Sequence, residues 1–353
     1  MWFFLTSFLI SALVAPVVIK LYNRRKWVDD PKKNHHAKVV HTKAVTRGGG
    51  VVVFFGIAIA SLFLLEVDKY LIAILCSTGL LMLTGIWDDV KDISPFIRLG
   101  VGFLAALIVV GAGIGIAYVT NPFGDGVIHL NWPQLAFTFQ GIPHTIWIWA
   151  DIFALIFILW NMNIVNWSKG VDGQMPGFVS IAALMIGFLS YRFIDDPTQF
   201  NTAHLSFITA GAFAGLLVWN WYPQKILPGY GAGSIAGFML GVLAILSGAK
   251  VAAILMVLAV PTADAIFTIS RRIIAGKSPF LGDRGHLHHK LLDVLGWSIP
   301  QVAAFYWSSS FLLGFLSLYL NTTHKLITIS AVGSIVFAFL VWAKLGSGKG
   351  KKK

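Results

Sequence analysis

The densest chemistry in the chain lies in PFLGDRGHLHHKLL, from Pro279 to Leu292, where Asp283, Arg284, His286, His288, His289 and Lys290 crowd together between two long apolar runs. Several of these side chains could converge on one anionic ligand or one metal ion. Taken alone, the stretch is equally a solvated loop between two helices. In GIWDDVKDISPFIRL, the adjacent Asp88 and Asp89 stand at the end of an apolar run. One carboxylate of such a pair can orient a divalent cation while the other accepts a proton from an attacking hydroxyl. The plainer alternative is punctuation between two helices ahead of Pro95. In HTKAVTRGGG, Lys43 and Arg47 lead into Gly48, Gly49 and Gly50, a pattern that lets backbone and cations approach a phosphate closely. In NMNIVNWSKGVDGQMPG, Asn163, Asn166, Lys169 and Asp172 offer groups that can read the polar edge of a base or sugar. A fifth stretch, NWYPQKILPGYGAGSIAG, adds Lys225 and a glycine-rich entry into a helix, whose first amides can receive phosphate.

The elements that must position these residues follow from composition. With 57% hydrophobic and 12% charged residues over 353 positions, the chain reads as an all-α, polytopic integral membrane protein. Apolar stretches near 1–22, 48–66, 69–87, 98–119, 148–166, 174–193, 203–222, 231–247, 250–270, 301–320 and 324–343 give about 11 transmembrane helices in one domain over 1–343, with a flexible basic tail at 344–353. The first stretch has no cleavage-site pattern and is expected to be retained. All but four of the 27 Lys and Arg residues fall on one face, in alternate connections, the tail or, for Lys20, just inside the end of the first stretch, so that face is expected to be cytoplasmic, with the N-terminus outside and the C-terminus inside. Topology, not nucleic acid, accounts for the net charge of +12, and the tail is drawn to anionic membrane lipids. The single cysteine, Cys76, excludes an internal disulfide. Every polar-rich connection therefore shares one face, the geometry of a reaction at the inner leaflet. A transporter or channel would instead gather its ionisable residues near the bilayer midplane.

HTKAVTRGGG, GIWDDVKD, NIVNWSKGVDG, PTADAIFTISRR and PFLGDRGHLHHKLL, in this order and on one face, resemble the polyprenyl-phosphate N-acetylhexosamine-1-phosphate transferase family over nearly the whole chain. The resemblance implies a bacterial inner (plasma) membrane enzyme that transfers a sugar-1-phosphate from a UDP-N-acetylhexosamine to undecaprenyl phosphate, with Mg2+ and release of UMP. It implies Asp88, Asp89 and His288 as catalytic residues, with Asp88 also on the metal. Lys43, Arg47, Asn166, Lys169, Asp172, Asp283, His286 and His289 become substrate-binding residues, and a homodimer is the common state of such relatives.

The chain also departs from the family pattern. Where the family reads N-x-x-D-G-x-D-G, this sequence has Asn166-Trp167-Ser168-Lys169-Gly170-Val171-Asp172-Gly173. Where it reads G-D-x-G-S, this sequence has Gly229-Tyr230-Gly231-Ala232-Gly233-Ser234, so either Tyr230 or Gly231 stands for an aspartate that binds magnesium. Two expectations follow. One is a transferase with a rearranged metal site, in which Lys169 supplies tethered charge and in which Asp at 169 and at 230 or 231 would restore magnesium-dependent turnover. The other is a catalytically impaired relative that still binds polyprenyl phosphate or nucleotide sugar.

Overall fold

The chain begins with α1 (Trp2–Arg25), followed by the short strands β1 (Val28–Asp29) and β2 (Val45–Thr46). Three helices follow: α2 (Gly49–Leu64), α3 (Lys69–Lys91) and α4 (Pro95–Gly111). Two hairpins then intervene, β3 (Tyr118–Thr120) with β4 (Val127–His129) and β5 (Gln134–Phe139) with β6 (Ile142–Trp147). The helical run resumes with α5 (Ile148–Trp167), α6 (Gln174–Ser190), α7 (Thr198–Asn220) and α8 (Gly229–Leu246). It ends with α9 (Val251–Val257), α10 (Ala259–Ile274), α11 (Leu287–Asp293), α12 (Ile299–Ser317) and α13 (Thr322–Lys349). This computed structural model describes residues 1–32, 42–121, 124, 126–139, 141–193, 196, 198–248, 251–278 and 284–349.

Each of the eleven apolar stretches holds a helix, but the helices differ in reach. Among the described residues seven (α1, α3, α5, α7, α8, α12 and α13) are long and apolar enough to cross a membrane, and α9 with α10 makes an eighth if the bent pair is counted as one span. The remaining three, α2, α4 and α6, have 16 or 17 residues. At 1.5 Å per residue they fall somewhat short of a hydrocarbon core of about 30 Å. The expectation of an all-α chain is likewise amended by three two-stranded antiparallel sheets among the described residues. Leu5, Leu9, Leu13, Val17 and Leu21 form an exposed apolar stripe at four-residue spacing along α1, a face suited to lipid. The chain is a multi-pass membrane protein.

Local chemistry explains two irregularities. Asn161 and Asn163 do not end α5, because each side-chain amide donates to the carbonyl four residues back, on Phe157 and Leu159, at 2.8 Å. The span at 250–270 is broken at Leu258 and bends by 79°. Pro261 forces this: mid-helix it would clash with the Val257 carbonyl, whereas in the first turn of α10 its missing N–H costs nothing. Ser310 donates to the freed Val257 carbonyl at 3.2 Å. At the centre stands α8, buried at every position from Tyr230 to Ile245. Its glycines and alanines let α2, α3 and α5 approach its backbone.

Candidate active site

The connections at one end of the bundle are stitched together by backbone. Leu227 N–H donates to the Thr46 carbonyl at 2.7 Å, and Gly49 N–H donates to the Leu227 carbonyl at 3.1 Å. The α1–α2 and α7–α8 connections thus run side by side. Asn220, at the end of α7, accepts from Gly173 N–H at 3.0 Å and donates to the Ile226 carbonyl at 2.8 Å, adding the α5–α6 connection. Trp307 on α12 donates to the Gly173 carbonyl at 3.0 Å and brings in the α10–α12 side. Sequence reasoning passed over Asn220 and Trp307, which touch no reacting group.

Against this frame Asp88 and Asp89 take different surroundings. Asp88 accepts from Ile93 N–H at 3.2 Å and pairs with Arg98 at 2.6 Å, closing the turn between α3 and α4. Arg98 stands one turn into α4, which Ser94 caps and Pro95 begins, and it also holds Asp92 at 2.6 Å. The Tyr230 hydroxyl donates to the Arg98 carbonyl at 2.9 Å, and the guanidinium lies 5.6 Å from the Tyr230 ring centre. Arg98 and Tyr230 share a cleft with Asn163, Asn166 and Ser234, floored by Leu99, Leu159 and Met162. Asp89 instead faces Arg47, Lys169, Tyr22 and the Gly48 amide. Its Oδ1 is buried without a hydrogen-bond partner, as is the Tyr22 hydroxyl. The Lys169 ammonium donates to the Gly229 carbonyl at 2.5 Å, 60 positions away in the chain.

The histidines form a second group that meets the first through Gly170. His286 Nδ1 lies 3.0 Å from an Asp264 oxygen, while the other Asp264 oxygen accepts from Leu287 N–H at 2.8 Å at the start of α11. Asp264 was legible only as the acidic residue of PTAD, and it fixes where the histidines stand. The His286 and His288 rings lie parallel at 5.6 Å, and His288 and His289 are 4.3 Å apart. His288 Nε2 packs on Gly170: a Cβ there would meet it at 1.9 Å, so only glycine fits. Burial pushes His288 well below the ordinary histidine range, with His289, His286 and Arg284 adding to it. Burial and Arg284 push His289 down to about 4, against the opposing pull of Asp293. Both rings are neutral at pH 7, and each keeps a buried Nδ1 without a partner. Neutral imidazoles can donate at one nitrogen and accept at the other.

The other candidates fall in several places. Asn166 lines the cleft beside Arg98, and its Oδ1 is buried without a partner. Arg47 lies beside Asp89 and 3.6 Å from Asp29. Asp172 is turned to architecture, accepting from Gln224 N–H at 3.1 Å in the α7–α8 connection. Lys43 is exposed. Asp283 lies outside the described residues.

The donor set does not fit a bound Mg2+. Such an ion wants octahedral oxygen ligation with one or two carboxylates. Asp88 is committed to Arg98, and Asp89 faces two cations. Among the described residues no three His, Cys, Asp or Glu side chains come close enough to share an ion. Gly231 leaves little room for a carboxylate either, since its Cβ would stand 3.2 Å from the Cα atoms of both Gly50 and Gly85. Tyr230 points to Arg98 instead. Restoring Asp at 231, one of the two places the sequence suggests beside 169, crowds backbone.

A helical membrane bundle that gathers paired carboxylates, cations and neutral histidines at one end, against glycine-lined backbone, has the makeup of a membrane-bound transferase. The model of glycosyl transferase family 4 matches residues 71–248, half of the chain, and the chain belongs to that family. It is 23% identical over 296 residues to the probable undecaprenyl-phosphate N-acetylglucosaminyl 1-phosphate transferase of Bacillus subtilis, covering 82% of this chain and 76% of that protein. It is 26% identical over 286 residues to the decaprenyl-phosphate N-acetylglucosaminephosphotransferase of Mycolicibacterium smegmatis, with 72% and 67% covered. To the phospho-N-acetylmuramoyl-pentapeptide-transferase of Bacillus pumilus it is 28% identical over 327 residues, with 89% and 95% covered.

Proposed function

We propose that this chain transfers a sugar-1-phosphate from a UDP-N-acetylhexosamine to a polyprenyl phosphate of the undecaprenyl type, releasing UMP at the cytoplasmic face of a bacterial inner membrane. An oxygen of the lipid phosphate attacks the sugar-bearing phosphorus of the donor. The bond from that phosphorus to the bridging oxygen breaks, and the bridging oxygen leaves with UMP. The lipid phosphate is largely ionised at pH 7, so Asp89 has at most one proton to receive from it. Arg47, Lys169 and Arg98 offset the phosphate charge in a site partly shielded from water. Neutral His288 donates a hydrogen bond to the phosphates at the Gly170 side.

The observation that carries this reading is the Lys169–Gly170 step. Its ammonium reaches Gly229 and the Asp89 side, while its glycine seats His288, so residues from four connections address one place. The names of the relatives support the chemistry, and the sugar remains that of an N-acetylhexosamine class. Eleven crossings with the N-terminus outside are the arrangement we favour. The site connections follow the C-terminal ends of α1, α3, α5, α7 and α10 and precede the N-terminal ends of α2, α4, α6, α8 and α12, as strict alternation requires.

Purified protein given undecaprenyl phosphate and radiolabelled UDP-N-acetylglucosamine or UDP-N-acetylmuramoyl-pentapeptide should release UMP with one of the two. A second reading, a relative that binds these ligands without turnover, is favoured by Lys169 and by Tyr230 or Gly231 standing where the family carries aspartates. Binding of undecaprenyl phosphate with no UMP from either donor would establish it.

A further inference from the structure

The residue that breaks the family pattern is built into the site. Ser168, which leads into Lys169, is 1% exposed, and the α5–α6 connection is anchored by Asn220 and Trp307, so the lysine is aimed inward. Its ammonium rests on the Gly229 carbonyl at 2.5 Å, and its charge acts on Asp89. The unpartnered Asp89 Oδ1 is buried against Gly229, 2.9 Å from where a Cβ of that residue would be. The buried Tyr22 hydroxyl faces the same carboxylate. A backbone carbonyl and a buried acceptor thus face one lysine charge, and a buried hydroxyl faces that acceptor. Buried polar atoms left without partners mark where a ligand belongs.

We infer that the Lys169 ammonium is a resident cation of this site, standing between Asp89 and Gly229 in place of a dissociable divalent ion, and that it holds a diphosphate without metal. The ligand class rests on the function proposed above. The replacement itself rests on the misfit of the donor set. An ammonium carries three donors on one charge and can serve a carbonyl, a carboxylate and a phosphate oxygen together. It cannot polarise phosphate as a dication does, but it never dissociates. Two further cations compensate: Arg47 beside Asp89, and Arg98, which holds Asp88. Diphosphate affinity should then be indifferent to chelators and sensitive to salt.

The test uses the full-length protein in detergent, with UDP as the diphosphate probe and Mn2+ as a spectroscopic substitute for Mg2+. UDP should bind with the same affinity in EDTA and in magnesium, and the Mn2+ paramagnetic resonance signal should stay that of the free ion. Losing a charged hydrogen bond, Lys169→Met should weaken UDP about tenfold or more, with magnesium giving no rescue. Lys169→Arg should recover part of the affinity, and Lys169→Asp should acquire Mn2+ binding. Magnesium-enhanced UDP binding, Mn2+ binding by the unaltered protein, or absence of UDP binding in both conditions would overturn the inference. So would unchanged UDP affinity in a folded Lys169→Met variant. If that variant does not fold, the metal comparisons on the unaltered protein still decide. Chelator-indifferent UDP binding without UMP release would keep this inference and defeat the transferase reading, whereas UMP release with magnesium-dependent UDP binding would do the reverse.

Discussion

At the scale of single residues, two contacts set the chemistry, and each makes a prediction. Among the described residues, Arg98 is the cation that pairs with Asp88, and Asp88 is 6% exposed. Removing it leaves a nearly buried carboxylate with the Ile93 N–H but no paired countercharge. Arg98→Ala should cost about 2–3 kcal/mol, less than a fully buried pair because the Arg98 side chain is 28% exposed. Thermal unfolding in detergent measures this, and an unchanged midpoint would remove Asp88 from the turn between α3 and α4. Gly170 is the other. A methyl group there would meet His288 Nε2 at 1.9 Å, which the ring can escape only by leaving its place. Gly170→Ala should lower UMP release by about a hundredfold, since a misplacement near 1 Å costs that much, while the protein still folds. Full activity in that variant would mean His288 stands clear of the reaction.

At the scale of elements, the crossing of α8 with α2 and α3 decides how close the connections come. A Cβ on Gly50 or Gly85 would meet the Gly231 Cα at 2.8 or 2.6 Å, and one on Gly231 would stand 3.2 Å from both of theirs, tighter than ordinary contact. Gly231→Ala should therefore destabilise by about 1–3 kcal/mol, the usual cost of overpacking, and pull Asp89 away from Gly229. Gly231→Asp should do worse, since it also buries a charge between backbones. Unfolding midpoints of the two variants, compared with Gly100→Ala, a position with open space around a Cβ, give the check. The glycine-rich run GYGAGS suggests close packing from sequence alone. That its glycine meets two others from separate helices was not legible there, because contacts between distant segments depend on crossing geometry.

At the scale of the whole molecule, the histidine end responds to acid. Unfolded, His289 would titrate near 6.5, and in the fold it is held down to about 4. Between those values the unfolded chain binds more protons, so stability is complete above about 6.5 and falls as the pH drops toward 4. Each such group contributes at most about 1.4 kcal/mol per pH unit in that window, and His288 acts in the same direction. Unfolding midpoints recorded from pH 7.5 to 4.5 should decline below 6.5, and His289→Asn should flatten part of the decline. A midpoint that rises on acidification would mean the rings are charged in the fold.

The sequence by itself determined the class, the helical stretches and the connections that carry chemistry, because these follow from apolar length and from the kinds of side chain packed between. It also marked Lys169 and the pair Tyr230 and Gly231 as unusual. Only the tertiary structure assigned the partners: Arg98 to Asp88, Lys169 to Gly229 and Asp89, Asp264 to His286, Gly170 to His288, and Asp172 to a turn. Composition and spacing report what a segment can do with its own neighbours. Which carboxylate is left facing a ligand depends on which distant cations the packing brings first.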